Sequence, residues 1–193
     1  QFFSTMYGVY YFAGSVWLTI STAWITARVL KAKGLLPQVH TLQFYYLGSM
    51  LLAFTVFYAY IHFSQYFLIW NAAVPEETFW YVLREKGTWA YVSWGLIIGH
   101  FLIPFLTLLR IDVKLTNRIM VPIFIWVLLM HYMDMYFNMM PEIHPDGPAP
   151  ALADLGTLLL IGGALIMVFM RDLFSNPICP LQDPRMGEAI EHH

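Results

Sequence analysis

Residues 119–140, IMVPIFIWVLLMHYMDMYFNMM, decide the fold of this chain. The run is apolar and long enough to cross a bilayer, which takes about 20 residues in a helix. Inside it stand His131 and Asp134, three positions apart and therefore on one helix face. A carboxylate in hydrocarbon is costly, so one kept there has a partner or a task.

Composition agrees with a membrane setting. Of 193 residues, 59% are hydrophobic and only 11% charged, and the mean hydropathy is +0.60. A soluble domain carries about 25% charged residues. The net charge of -2 comes with no basic patch, so no nucleic-acid partner is expected. Cys179 is the single cysteine, which excludes an internal disulfide, a cysteine-held iron–sulfur cluster and a covalent C-x-x-C-H haem.

Outward from that run, four more segments reach spanning length. Together the five are about 2–29, 44–70, 89–109, 119–140 and 155–170, and the fold expected is an all-α polytopic bundle over 1–171 with a polar tail over 172–193. Arg28, Lys31, Lys33, Arg110, Lys114, Arg118, Arg171 and Arg185 fall on one side; only Arg84 and Lys86 fall on the other. Positive residues stay cytoplasmic, so the start of the chain is expected outside and the tail inside. Trp70, Trp80 and Trp89 are then expected as an aromatic belt at the outer interface. Pro141, Pro145, Pro148 and Pro150 are expected to stiffen an outer loop. No charged segment precedes Phe2, so no signal peptide is expected. The chain reads as the later part of a longer polypeptide.

The second span carries Tyr58, His62 and Tyr66 at spacings of four, with Gln65 adjoining. His62 and His131 are predicted at similar depth. Asp134, Asn138 and Glu142 step from His131 toward the outer water. Two readings stay open. The polar trail is a quinol pocket or outward proton path, with histidine and carboxylate accepting protons in turn, or it only hydrogen-bonds helices together. In the third span Pro104 cannot donate to the carbonyl of His100. A kink there either widens a cavity beside His100 or is purely structural. Gly95 and Gly99 invite close helix approach.

Ser15, Thr19, Thr22 and Thr26 form a stripe on the first span, read as a packing face in preference to a water chain; Gly156, Gly162 and Gly163 on the fifth are also read as packing. A b-type haem between His62 and His131 is the competing redox reading. An ion transporter is disfavoured because the five spans contain no inverted repeat.

The stretches HFSQYFLIWNAAVPEETFWYVLREKGTWAYVSWGLIIGHFLIPFLTLLR (62–110) and HYMDMYFNMMPEIHPDG (131–147), with Pro177, Pro180 and Asp183-Pro184-Arg185, carry a resemblance. The chain resembles the polysulfide-reductase NrfD-like membrane subunits, in detail the second such subunit of bacterial alternative complex III, a quinol:cytochrome c oxidoreductase. The resemblance implies a subunit of about twice as many helices in the bacterial cytoplasmic membrane. It implies no haem in the subunit and no covalently bound cofactor, with menaquinone or ubiquinone as the quinone. Iron–sulfur clusters and haem c are expected on periplasmic partners, beside an NrfD-like sister subunit. His62, His100, His131 and Asp134 are the positions that would inherit quinone binding or proton transfer. Such a subunit is no enzyme on its own; a purely structural anchor is the alternative.

Overall fold

A computed structural model describes residue 4, residues 6–149 and residues 151–176, with only the backbone of Glu76. The readings placed on Pro150, Cys179 and residues 177–193 lie outside these described residues. All regular structure among the described residues is helical: α1 (Met6–Ala32), α2 (Thr41–Ala72), α3 (Pro75–Arg84), α4 (Trp89–Leu108), α5 (Ile111–Leu115), α6 (Asn117–Met139) and α7 (Leu152–Ser175). A 3-10 turn, Met140–Glu142, extends α6. The short helices α3 and α5 lie between the long ones.

Among the described residues, four helices are long and apolar enough to cross a membrane: α2, α4, α6 with its 3-10 extension, and α7. The chain is a multi-pass membrane protein. The fifth expected span, α1, has the length, 27 residues, without the apolarity. Tyr7, Tyr10 and Tyr11 and the hydroxyls of Ser15, Thr19, Ser21, Thr22 and Thr26 dilute it.

The described residues divide into two compact units, one built from those up to 28 with 41–148, the other from 29–40 with those after 148. In the first, α1 turns a seam inward at alternating spacings of three and four: Tyr7, Tyr10, Gly14, Trp17, Ser21, Trp24 and Arg28. Tyr10, Trp17, Ser21 and Trp24 are buried, and the spacing is what keeps one stripe of a helix on one side. The Ser15–Thr26 stripe is therefore not the packing face. Ser15, Thr19 and Thr22 are exposed, and the two threonine hydroxyls donate back to the carbonyls of Ser15 and Leu18 at 2.8 Å. The aromatic residues face the interior because Tyr10 and Trp17 find hydrogen-bond partners there, whereas the threonine hydroxyls are satisfied within their own helix.

Helix α4 widens to a π-helix over Ile97–Leu102, just before Pro104. The N–H of Ile103 reaches Ile98 rather than Gly99. The carbonyl of Gly99 thus faces the ring nitrogen of Pro104, which has no hydrogen. Trp126 on α6 donates its indole N–H to that carbonyl at 2.7 Å. The freed acceptor is Gly99, one residue earlier than an α-helical count puts it, and it is satisfied. Of Gly95 and Gly99, the second is the point of close helix approach. A Cβ there would run into Met130 and lie 3.3 Å from Trp126, whereas Gly95 has nothing within 4 Å.

Helices α5 and α2 meet through Gly48, where a Cβ would lie 2.8 Å from the Cβ of Lys114. The stem of Lys114 is buried along this groove, and its ammonium donates to Ser49 Oγ at 3.2 Å.

In the second unit, Gly34 takes a positive φ of 75°. The N–H of Leu35 bonds back to Leu30, and the Lys31 ammonium donates to the Val39 carbonyl. Helix α7 is capped where Asp154 accepts from the Ala151 N–H at 2.9 Å. Its Gly156, Gly162 and Gly163 meet no neighbour within 4 Å in this unit.

Candidate functional site

Three helices bring polar groups to one point in the apolar interior. Asp134 on α6 is fully buried. Its Oδ1 accepts from the Tyr10 hydroxyl of α1 and from Asn138 Nδ2 at 3.3 Å. The Tyr10 oxygen lies 2.8 Å from the Tyr58 hydroxyl of α2 and accepts from Asn138 Nδ2 at 3.0 Å. Because the single hydrogen of Tyr10 goes to the carboxylate, Tyr58 is the donor in the tyrosine pair. The bonds run in one direction, Tyr58 to Tyr10 to Asp134. Tyr7 donates to Asn138 Oδ1 at 3.2 Å.

The opposite side of Asp134 is unsatisfied. Among the described residues, Asp134 Oδ2, His131 Nδ1 and both ring nitrogens of His100 are buried without a hydrogen-bond partner. One ligand atom from each of these three residues lies within 4.8 Å of the others. Burying such atoms unpaired costs about 1–3 kcal/mol apiece, so their convergence needs a reason. His100 is held between Trp17 and Tyr58, with ring centroids 4.0 and 3.9 Å away. Stacking on both faces fixes the ring plane and leaves only its edge for chemistry. Gly14 gives His131 its place: a Cβ on Gly14 would sit 3.1 Å from its Cε1.

Beside this network a cavity of about 770 Å³ lies among α2, α3 and α4. Tyr58 and His62 line it together with Tyr81, Arg84 and Glu85, and aromatic rings including Phe63, Trp94 and Phe101 form its walls. Phe63 and Trp94 are exposed, so the cavity has a side that faces the surroundings of the bundle. Tyr58 alone belongs both to the cavity wall and to the hydrogen-bond chain. His62 packs against Tyr10 and Tyr58, with ring centroids 5.4 and 6.0 Å away.

Arg84 closes the same end of α6. Its guanidinium is buried and donates to the carbonyls of Trp80 at 2.9 Å, Phe137 at 3.2 Å and Asn138 at 2.7 Å. These include last-turn carbonyls of α6, which carry the negative end of the helix dipole and have no partner in their own helix. Its charge lies 3.6 Å from the Trp80 ring centre. Burial pulls Arg84 down to about 10, with Glu142 pushing the other way, so it stays charged at neutral pH.

Of the residues singled out from sequence, the structure brings together His100, His131, Asp134, Asn138, Tyr58 and His62. Gln65 is buried but outside both network and cavity. Glu142 is exposed and acts on Arg84; the trail from Asn138 turns aside to Tyr7 and Tyr11. Trp80 and Trp89 are not belt residues. Both are buried, Trp80 beneath Arg84 and Trp89 with its indole N–H on the His144 carbonyl at 2.9 Å. Tyr7, Tyr10, Trp17 and Arg84 were missed as site residues. The alternating seam of α1 was the signal for the first three. Arg84 gave none beyond its charge.

No known family model matches this chain, and no curated protein matches it.

Proposed function

We propose that the chain is a membrane subunit of a respiratory quinol-oxidising complex, taking a prenylated quinol in the α2–α3–α4 cavity and passing its protons to Asp134. The observation that carries the reading is Tyr58, which lines the cavity and starts the chain through Tyr10 to Asp134. Quinol oxidation releases two protons with two electrons. A hydroxyl chain ending at a carboxylate gives those protons a way out of an apolar pocket. The aromatic, exposed side of the cavity suits a ring with a long isoprenoid tail. Its polar end, with His62, Arg84 and Glu85, suits the oxygens of the ring.

In this reading α1 is a fifth span, the α3 end of the bundle faces the periplasm of a bacterial cytoplasmic membrane, and residues 172–193 are cytoplasmic. Membership of the NrfD-like family and a place in alternative complex III belong to the same proposal, resting on the stretches 62–110 and 131–147. Electrons leave to iron–sulfur and haem c centres on partner subunits, since the subunit is given no redox centre of its own. Menaquinone or ubiquinone is the quinone.

A structural anchor is the second reading, favoured by the way the network ties α1, α2 and α6 together. Tyr58→Phe separates the two, because it keeps the ring against His100 and removes only the proton carrier. Quinol-driven turnover of the assembled complex is expected to fall by about tenfold or more in that variant. Turnover equal to wild type in folded Tyr58→Phe and Asp134→Asn would falsify the proton role and leave the anchor.

A further inference from the structure

We infer that His100, His131 and Asp134 form a binding site for one divalent transition-metal cation of the zinc class. The three side chains come from two helices, α4 and α6, and converge edge to edge. Each presents a lone pair that nothing else among the described residues uses. His100 and Asp134 are almost fully buried, and His131 is partly accessible.

The donor set selects the ion. Two imidazoles and one carboxylate suit zinc, cobalt or ferrous iron, whereas magnesium and calcium favour oxygen ligands throughout. Bonds of about 2.1 Å require donor atoms roughly 3.4 Å apart. The three donor atoms lie within 4.8 Å of one another, so binding requires a closure of at most about 1.4 Å.

Supporting contacts are already in place around the ligands. Tyr10 and Asn138 bond Asp134 Oδ1, which holds the carboxylate with Oδ2 free. Trp17 and Tyr58 fix the plane of His100. Metal sites depend on outer partners of this kind to orient their ligands. A bound cation also offsets the charge of a carboxylate buried away from any cationic side chain's hydrogen bonds. Metal and proton compete for the same lone pairs, so an occupied site blocks proton transfer through Asp134. That blocking rests on the proposed function; the binding does not.

The test titrates the resting full-length protein, in lipid nanodiscs and without quinol, first with Co²⁺ and then with Zn²⁺. Visible ligand-field bands are expected to saturate at one cobalt per chain and to vanish as zinc displaces it. Metal affinity is expected to fall by about tenfold or more in His131→Gln and Asp134→Asn, and to stay unchanged in His144→Gln, an exposed histidine. The wild-type spectrum decides the question even where a variant fails to fold. A colourless cobalt titration overturns the site, as do thiolate charge-transfer bands from Cys179 or full binding by folded His131→Gln. Because no turnover is measured, either proposal can fail while the other stands.

Discussion

Trp126 donates to the carbonyl of Gly99 at 2.7 Å and so supplies the hydrogen that Pro104 lacks. One indole on α6 therefore completes the ladder of α4 and pins the π-helix that carries His100. The packing of the two helices and the placement of the candidate site are one feature.

Trp126→Phe keeps most of the apolar ring and leaves the Gly99 carbonyl unpaired. The expected loss of stability is about 1–3 kcal/mol. Pro104→Ala restores a backbone donor, so the same tryptophan change is expected to cost less in that background. Chemical unfolding of the four proteins in a double-mutant cycle measures the coupling.

Arg84→Met removes the donors that hold the Trp80, Phe137 and Asn138 carbonyls, and a loss of about 3 kcal/mol is expected. Arg84→Lys keeps the charge without the planar fork and is expected to lose about half as much. The pH dependence has a definite sign. Burial holds Arg84 at about 10 in the folded chain, below the free group, so above that pH the unfolded chain holds more protons. Its contribution to stability rises with pH from there upward and is flat below. Thermal melts across neutral and mildly alkaline pH should show no step from this residue.

Gly48→Ala and Gly95→Ala are expected to act in opposite directions. At Gly48 the new methyl meets the root of the Lys114 side chain at 2.8 Å, which cannot swing aside, and about 1–3 kcal/mol should be lost. At Gly95 nothing lies within 4 Å, and alanine should add up to about 1 kcal/mol through helix propensity. Unfolding midpoints of the two variants give the comparison directly.

Tyr58→Phe and Tyr10→Phe interrupt a single series of bonds at successive links. Each is expected to reduce quinol-driven turnover by a similar factor, and the double variant should be no slower than the worse single. Multiplying losses would show that the two hydroxyls act separately.

Much of the site was legible because its α6 residues obey one period. His131, Asp134 and Asn138 share a face by spacing alone, and the structure sets them along one polar seam. Pro104 announced a disturbance in α4 beside His100, but not its form. A proline can free a carbonyl in either an α or a π register, and only the neighbouring Trp126 selects between them. Tyr10 was hidden for a different reason. A tyrosine near the end of an apolar helix reads equally well as an interface anchor, and its bond to Asp134 spans 124 positions of sequence. Trp80 and Trp89 misled in the same way, since the Arg84 guanidinium covers the first and the loop after α6 meets the second. Arg84 looked like one misplaced positive charge; its function as a helix cap depends on where α3 lands.

The polar character of α1 has a bearing on how the protein is made. A helix carrying three tyrosines within its first six residues gains less from lipid than its apolar neighbours do. Its hold comes later, when Asp134 and Asn138 on α6 are synthesised and bind Tyr10. Docking of α1 is thus coupled to the synthesis of α6, and a nascent chain halted before α6 would leave Tyr10 without these partners.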